Sequence, residues 1–256
     1  MRITNHNTFF RGKDLGTITA DNIDSFITDH GISTGEFNDI YVGDYFTIPY
    51  DGSNKIIRIA GFDIYYNTGS VRLTSHHIVC VPDSNLTTAK MNSTNTTGVS
   101  ENEENTSDYG GFLGSDMWNI TLPIVNANLE SVFGGHLLSH KEWLSSSVDS
   151  NAISSGFSSW KGASNNCQWV DCKAVLMSEV EVYGSRIFSS SGFDIGIAKS
   201  QLPLFSIEPR YLNNNQWYWL RGVASSTYFC GCNDLGNASC GSASIDVGVR
   251  PRFLVG

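Results

Sequence analysis

Apolar residues that recur with a period of two, in short runs separated by turn residues, set the strongest limit on how this chain folds. Residues 41–48 and 55–60 show this alternation and are joined through Asp51-Gly52-Ser53-Asn54, a combination typical of a β-hairpin. A third strand is predicted over residues 71–81, after a turn sequence at 67–69. The pattern therefore predicts a β-sheet from residue 40 onward.

Small, polar and turn-forming residues fill much of the remaining chain. Ser, Asn, Thr and Gly occupy 97 of the 256 positions (33, 22, 17 and 25), which is typical of a loop-rich and β-rich chain. Fourteen Phe, ten Tyr and six Trp supply large apolar side chains. The chain is therefore expected to fold around a core, unlike a disordered Ser/Asn tract.

The acidic balance of the chain excludes some classes of partner. Its formal net charge is −9, with 16 Lys and Arg and no basic run, so no nucleic-acid partner is expected. No window reaches 18 apolar residues and the first twenty residues are mostly polar, so neither a membrane span nor a secretory signal is predicted. The six cysteines are expected to be free thiols made in a reducing cytoplasm.

Residues 1–38 form a polar arm with one short amphipathic helix, predicted over 21–30. Thr19 is placed to cap the start of this helix and Gly31 to end it. Three apolar residues share one face: Ile23, Phe26 and Ile27. One short helix cannot form a domain, so the arm is expected to dock on its own domain or on another protein.

A second helix is predicted between residues 115 and 133. Pro123 lies near its start and Gly134-Gly135 end it. Its apolar residues follow helical spacing: Leu122, Val125, Leu129, Val132 and Phe133. This helix is expected to pack on the sheet, between two loop-rich stretches at 85–115 and 145–166. The acidic residues of the first stretch, around Glu101–Asp108, are interpreted as a solvated loop in preference to a cation or partner site.

Metal and catalytic signatures are weak in this sequence. The histidines His76, His77, His136 and His140 show no zinc motif. Cys230, Cys232 and Cys240 cluster near the C-terminus, and the pair Cys230 and Cys232, on one side of a predicted strand, could bind a soft metal or be redox-active. Small side chains that fill a turn-rich surface are the favoured interpretation. No nucleophile elbow or phosphate-binding loop occurs.

One carboxylate pair, Glu179 and Glu181, lies two residues apart in a run interpreted as a strand, where both would point the same way. The pair could serve a glycosidase. Structural ion pairs with buried arginines are favoured. At least one of Arg221 and Arg250 is predicted to be buried and bonded to a carboxylate, with Glu179 as the first choice.

The C-terminal segment carries the clearest functional signal. Two strand-like motifs, Trp219-Leu-Arg221 and Gly248-Val-Arg-Pro251, bracket a surface rich in Ser, Gly, Asn, Tyr and Cys, a mixture that binding loops use. Ligand contacts are predicted for Trp217, Tyr218, Tyr228, Phe229, Asn233, Asp234, Asn237 and Ser239. Structural roles inside the domain are predicted for Glu179, Trp219, Arg221 and Arg250.

These motifs, with Leu176-Met-Ser-Glu179, Val182-Tyr-Gly184 and the run from Asp39 to Tyr45, resemble bacteriophage structural proteins that carry a C-type-lectin-like domain. That domain is similar in fold to formylglycine-generating enzymes and to variable tropism proteins diversified by retroelements. The resemblance covers about residues 39–256. It implies an α+β fold with a mixed twisted sheet, two helices and long loops, preceded by residues 1–38 as an attachment and oligomerisation arm.

Two departures from related families limit what the resemblance implies. The chain has Glu208-Pro209-Arg210 and no Trp-Asn-Asp, so calcium-mediated sugar binding is not expected. The reactive cysteine pair of formylglycine-generating enzymes is not matched by Cys230 and Cys232. No metal, no cofactor and no enzymatic activity are therefore expected.

The resulting hypothesis is a phage virion surface protein, assembled in the host cytoplasm. It would be a capsid decoration protein, head fibre or tail adhesin whose lectin-like domain binds a host cell-surface glycan or protein. The arm would contact other virion proteins, and a homotrimer is favoured over other homo-oligomers. Two alternatives stay open: an enzyme of the formylglycine-generating or glycan-hydrolase type, and a purely structural decoration protein.

Overall fold

A computed structural model of the chain describes residues 6–98, 110–148 and 163–256. Over these residues the protein is α+β, with mostly strands. The strands are β1 (Asp14–Thr17), β2 (Tyr45–Tyr50), β3 (Ser53–Phe62), β4 (Ile78–Pro82), β5 (Thr87–Ala89), β6 (His140–Val148), β7 (Ser164–Cys172), β8 (Val175–Leu176), β9 (Tyr218–Val223), β10 (Tyr228–Cys232), β11 (Ala238–Ser242), β12 (Val247–Val249) and β13 (Pro251–Val255). The α-helices are α1 (Ile23–Asp29), α2 (Leu122–Phe133), α3 (Glu179–Tyr183) and α4 (Pro203–Ile207).

The strands form three sheets. A six-stranded sheet has the order β1-β2-β3-β4-β13-β8, a five-stranded sheet has the order β11-β10-β9-β12-β5, and β6 pairs with β7 alone. The first sheet is mixed, because β1 and β2 are parallel while the other neighbours are antiparallel. Strands β4 and β13 are buried at every position, as expected for the centre of a covered sheet.

The predicted hairpin at residues 41–60 is confirmed. Tyr50 pairs with Ser53, which leaves Asp51 and Gly52 as a two-residue turn with φ of 47° and 70°. Positive φ at both positions is the geometry that favours Asp-Gly in such turns.

The predicted strand over 71–81 is too long at its start, because β4 begins only at Ile78. Asp63 accounts for the difference: its carboxylate accepts the backbone N–H of His77 at 2.9 Å and contacts the ring of His76. These polar contacts fix His76 and His77, which precede β4 and lie outside any strand.

Both predicted helices are present, and two more were missed. Helix α1 buries its three predicted apolar residues and α2 buries all five. Asn22, and not Thr19, occupies the N-cap position of α1. The domain has four α-helices among the described residues, so the expectation of two was wrong.

Helix α3 replaces the strand predicted at Glu179 and Glu181. Ser178 caps it: the Ser178 hydroxyl accepts the backbone N–H of Glu181 at 3.2 Å, and the Glu181 carboxylate accepts the N–H of Ser178 at 2.6 Å. This reciprocal pair is a capping box.

Residues 6–38 dock on the domain that follows them. Strand β1 pairs with β2. Arg11 binds the buried carboxylate of Asp44 through Nη2 at 2.6 Å. The ring of Phe10 covers Gly43, where a Cβ would lie 2.1 Å from the ring. The segment was expected to dock on its own domain or on another protein, and the structure shows the contact with its own domain. None of the described helices has the length and hydrophobicity that a bilayer crossing requires.

Candidate functional site

Four charged side chains meet in the core of the domain: Glu142, Glu181, Arg221 and Arg252. Arg221 Nη1 donates to Glu181 Oε2 at 2.7 Å and Arg252 Nε donates to Glu181 Oε1 at 2.9 Å. Arg252 also donates to Glu142, and Arg221 Nη2 lies 3.6 Å from Glu142 Oε1. Each side chain is at most 3% exposed. Two cations and two anions thus balance in a space that would not tolerate a lone charge.

The electrostatics of this ion cluster keep its carboxylates charged. Burial alone would raise the pKa of Glu181, but the charges of Arg221 and Arg252 outweigh it and hold that pKa well below its ordinary value. The same balance lowers the pKa of Glu142. Both groups are therefore ionised at neutral pH.

A cysteine and a histidine beside the cluster are not arranged for nucleophilic catalysis. Cys172 Sγ lies 3.6 Å from His140 Nε2, but burial raises the pKa of Cys172 to about 12. Burial and the charge of Arg252 lower the pKa of His140 to about 4, and Arg252 Nη1 lies 2.6 Å from its Nε2. The thiol is therefore protonated, and the ring nitrogen that could take its proton already accepts a bond.

The prediction for the two arginines is confirmed by Arg221, with a different partner. Its carboxylate is that of Glu181, so Glu179 was the wrong first choice. Glu179 Oε2 instead accepts the backbone N–H of Ile187 at 2.8 Å and of Ser189 at 3.0 Å. Arg250 is buried and donates to the carbonyls of Pro82 and Tyr211.

Trp219 lies inside the domain as predicted. It is 1% exposed, and its Nε1 donates to the carbonyl of Ala89 at 2.9 Å. The bond joins β9 to β5, which are not neighbours in the five-stranded sheet. Trp219 therefore has a structural role.

The predicted ligand contacts do not form one surface. Tyr218 and Phe229 are fully buried and cannot touch a ligand. Asn233 Oδ1 accepts the backbone N–H of Leu235 at 3.0 Å and of Asn237 at 2.9 Å, so this side chain shapes the turn between β10 and β11. The remaining predicted residues are exposed or partly exposed: Trp217, Tyr228, Asp234, Asn237 and Ser239.

The histidines considered as metal ligands have other partners within the domain. His76 stacks on Tyr66 with ring centroids 4.6 Å apart, and His136 Nε2 lies 2.7 Å from Asp24 Oδ1. Within the described ranges, no three His, Cys, Asp or Glu side chains are grouped so that they could hold a metal ion.

A groove of about 540 Å³ lies on the outer face of the β6–β7 ribbon. Trp143 and Trp169 face each other across the two strands, with ring centroids 5.2 Å apart and planes tilted by 52°. Trp169 is 41% exposed. The other lining residues are Thr68, Gly69, Gly192, Ile195, Gly196, Ile197 and Lys199.

The second wall of the groove is held by the buried ion cluster. Ile197 N donates to Glu142 Oε1 at 3.1 Å. Gly196 has a φ of 73°, and a Cβ there would lie 2.3 Å from Arg221 Nη2. Nearby, buried Asp194 accepts the backbone N–H of Val223 at 3.0 Å. The groove wall is therefore fixed to strands β6 and β9.

Comparisons with family models, curated proteins and solved structures find no match for this chain. These comparisons assign no function, so the sequence motifs and the geometry of the chain are what bears on it.

Sequence reasoning missed the tryptophan groove. Residues 145–166 were interpreted as a loop, although β6 and β7 extend into that range from both sides. The available signal was alternation: around Trp143, residues Glu142 and Leu144 are buried while the tryptophan is not. The charge of Glu142 and the serines of β6, with a serine and two asparagines in β7, concealed this period of two.

Proposed function

We propose that this chain is a non-enzymatic phage virion surface protein whose C-type-lectin-like domain binds a host-surface glycan in the groove lined by Trp143 and Trp169. The observation that carries the proposal is the paired tryptophans, one of them 41% exposed, on a concave surface. The two adjoining rings form an apolar patch on a concave surface, which is a usual feature of ligand sites. The ring face of tryptophan suits the apolar C–H face of a sugar, while its edge stays compatible with water.

The size and charge of the groove favour a neutral or acidic sugar. Its volume of about 540 Å³ lies within the roughly 300–1,000 Å³ usual for small-molecule sites. Exposed Lys199 lines it and places a positive charge beside the rings, which disfavours a cationic ligand. Gly69 and Gly192 are at least partly exposed and have no side chain, so their backbone groups are accessible to sugar hydroxyls.

Binding without catalysis is supported by the chemistry of the lining. Among the described residues that line the groove, none is a carboxylate or a histidine. The nearest buried carboxylates, Glu142 and Asp194, are committed to ion pairs or hydrogen bonds. Glycoside hydrolysis needs two carboxyl groups that flank the bond, and the groove offers no such pair from these residues.

The virion placement rests on the resemblance of the sequence motifs. Two of them, around Arg221 and Arg250, are buried parts of the scaffold, in keeping with a lectin-like framework that displays its ligand site elsewhere. In the proposed particle the outer side of residues 1–38 contacts capsid or tail proteins, and the chain assembles as a trimer. Sedimentation of the purified chain tests the trimer.

Alanine substitution at Trp169 tests the binding site. Purified wild type and Trp169→Ala are titrated against immobilised oligosaccharides of hexoses, N-acetylhexosamines and uronic acids. We expect at least one class to bind the wild type and to bind the variant about tenfold more weakly, since an aromatic contact is worth roughly 1 kcal/mol or more. The matched control is Trp217→Ala, because Trp217 is 39% exposed and lies directly before β9, which pairs with the C-terminal hairpin formed by β10 and β11.

The two variants separate the competing surfaces. Loss of binding in Trp217→Ala with normal binding in Trp169→Ala would move the site to the C-terminal hairpin. Equal binding by both variants would contradict both sites. Wild-type protein that binds no sugar class, on beads or on host cells, would favour a decoration protein without a ligand.

A further inference from the structure

Three of the cysteines lie on the hairpin formed by β10 and β11. In its register Cys230 faces Cys240, while Cys232 faces Ala238. Directly opposite residues project to the same side of a sheet, with Cβ atoms about 4.5–5.5 Å apart. The register therefore brings together one cysteine pair and leaves Cys232 outside it.

Backbone hydrogen bonds at the two ends of the hairpin show whether Cys230 and Cys240 are a hydrogen-bonded or a non-hydrogen-bonded pair of the ladder. Ala243 N donates to Thr227 O at 2.9 Å, and Asn233 N donates to Asn237 O at 2.9 Å. Opposite residues in an antiparallel ladder alternate between hydrogen-bonded and non-hydrogen-bonded pairs. Three steps from either end lead to the pair at residues 230 and 240, which is therefore non-hydrogen-bonded.

The spacing of such a pair suits a disulfide. Non-hydrogen-bonded partners have Cα atoms about 4.5 Å apart and closely placed side chains. Disulfides span Cα distances of about 4.4–6.8 Å. The two thiols of the hairpin can thus be joined without moving its backbone far.

The surroundings of the two thiols keep them protonated. Cys230 is fully buried and Cys240 is partly exposed. Burial, with a smaller contribution from the Glu179 carboxylate, raises the pKa of Cys240 to about 12. Burial raises the pKa of Cys230 as well, with Glu179 and Asp194 adding to it. Both groups are protonated thiols at neutral pH.

We propose that Cys230 and Cys240 form a cross-strand disulfide when the chain leaves a reducing compartment and meets a small-molecule disulfide. The partly exposed Cys240 thiolate attacks the small disulfide and releases one small thiol. Cys230 then attacks the Cys240 sulfur of the mixed disulfide and releases the second. The two cysteines are oxidised, the small disulfide is reduced, and the two cysteine protons leave on the released thiols.

The bond would close the loop of residues 230–240 and lock the hairpin turn shaped by Asn233. On a chain-entropy basis, closing a loop of this length lowers the unfolding equilibrium constant by about a hundredfold. Formation of the bond does not require the tryptophan groove to bind a glycan.

Peptide mapping of the full chain tests this disulfide. The protein is incubated with oxidised glutathione, its free thiols are alkylated, and it is cleaved before Asp234, which separates Cys240 from both other hairpin cysteines. We expect one linked peptide pair, lighter by two hydrogens than its parts, which disappears after reduction. Because thiolate is the attacking species, the rate should rise about tenfold per pH unit near neutral pH.

Variants identify the two sulfur atoms. Cys232→Ser should keep the link and Cys240→Ser should lose it. On a denaturing gel without reductant, both variants should run as single chains, with no disulfide between chains. A link from Cys232 to Cys240, a link between chains, or glutathione that stays on Cys240 would each overturn the proposal. Fragmentation of the wild-type linked peptides shows whether Cys230 or Cys232 carries the alkyl label, and so decides the matter even where a variant does not fold.

Discussion

Replacing Glu142 by Gln removes one charge from the buried ion cluster with little change of shape. The Gln oxygen can still accept the backbone N–H of Ile197, which Glu142 Oε1 accepts at 3.1 Å. What is lost is the negative charge that faces Arg252 and Arg221. Only Glu181 would then balance two guanidinium groups in the core.

The magnitude follows from the burial of this group. Glu142 is 0% exposed, so solvent does not screen the two arginines from each other. Removing one partner of a buried ion pair costs about 3–5 kcal/mol, because the other charge stays buried and uncompensated. In a chain of this size that corresponds to a fall in Tm of about 6–20 °C.

Thermal melting followed by circular dichroism measures the loss. The matched control is Glu130→Gln, because Glu130 pairs with Lys173 on the surface, where it is 44% exposed. An exposed pair contributes no more than about 1 kcal/mol, so this variant should melt within a few degrees of the wild type.

A second substitution distinguishes charge from packing. Adding Arg221→Met to Glu142→Gln leaves Glu181 and Arg252 as a balanced pair. If uncompensated charge is the cause, the double variant should recover part of the lost stability. A Glu142→Gln variant that melts like the wild type would refute the reasoning. So would a double variant that is less stable than the sum of its single changes.

Three further predictions concern the groove wall and the hairpin. Burial raises the pKa of Asp194 to about 6 from an ordinary value of 3.8. The protonated carboxyl therefore contributes stability that is present below pH 3.8 and is lost as the pH rises through 6. In urea titrations across that pH range, Asp194→Asn should show a smaller loss of stability than the wild type. Gly196→Ala should destabilise the fold by more than about 1 kcal/mol and weaken sugar binding several-fold. Gly192→Ala, with a φ of 86° and no atom within 4 Å of an added Cβ, should melt at a higher temperature than Gly196→Ala. Asn233→Ala should cost about 1–2 kcal/mol in a melt through two lost acceptor contacts, whereas exposed Asn237→Ala should stay within about 0.5 kcal/mol.

Short-range sequence patterns predicted the turns and helices whose conformation depends on residues close together in the chain. The Asp51-Gly52 turn predicted a hairpin, and helical spacing predicted the buried face of α2. Helix α3 was missed although Ser178 and Glu181 form a capping box, because the alternation of valine and glutamate that follows Ser178 also fits a strand. Reading that cap first would have predicted a helix here, with Glu181 at its third position, in place of a strand on which both glutamates point the same way.

The candidate site depends on contacts that no local pattern contains. Trp143 and Trp169 are brought together only by the register of β6 and β7. The opposite wall comes from Gly196 and Ile197, whose positions follow from bonds to the buried ion cluster. The sequence could show that aromatic and small polar residues were available for binding. It could not show which of them share a surface.

The ion cluster and the groove lie on opposite sides of strand β6. Successive residues of a strand point to opposite sides, so β6 places Glu142 in the core and Trp143 in the groove. Glu142 also holds Ile197 in the facing wall, so the same carboxylate fixes both sides of the site. A groove fixed in this way loses little entropy when a ligand enters. The buried charges therefore give the candidate site a defined shape.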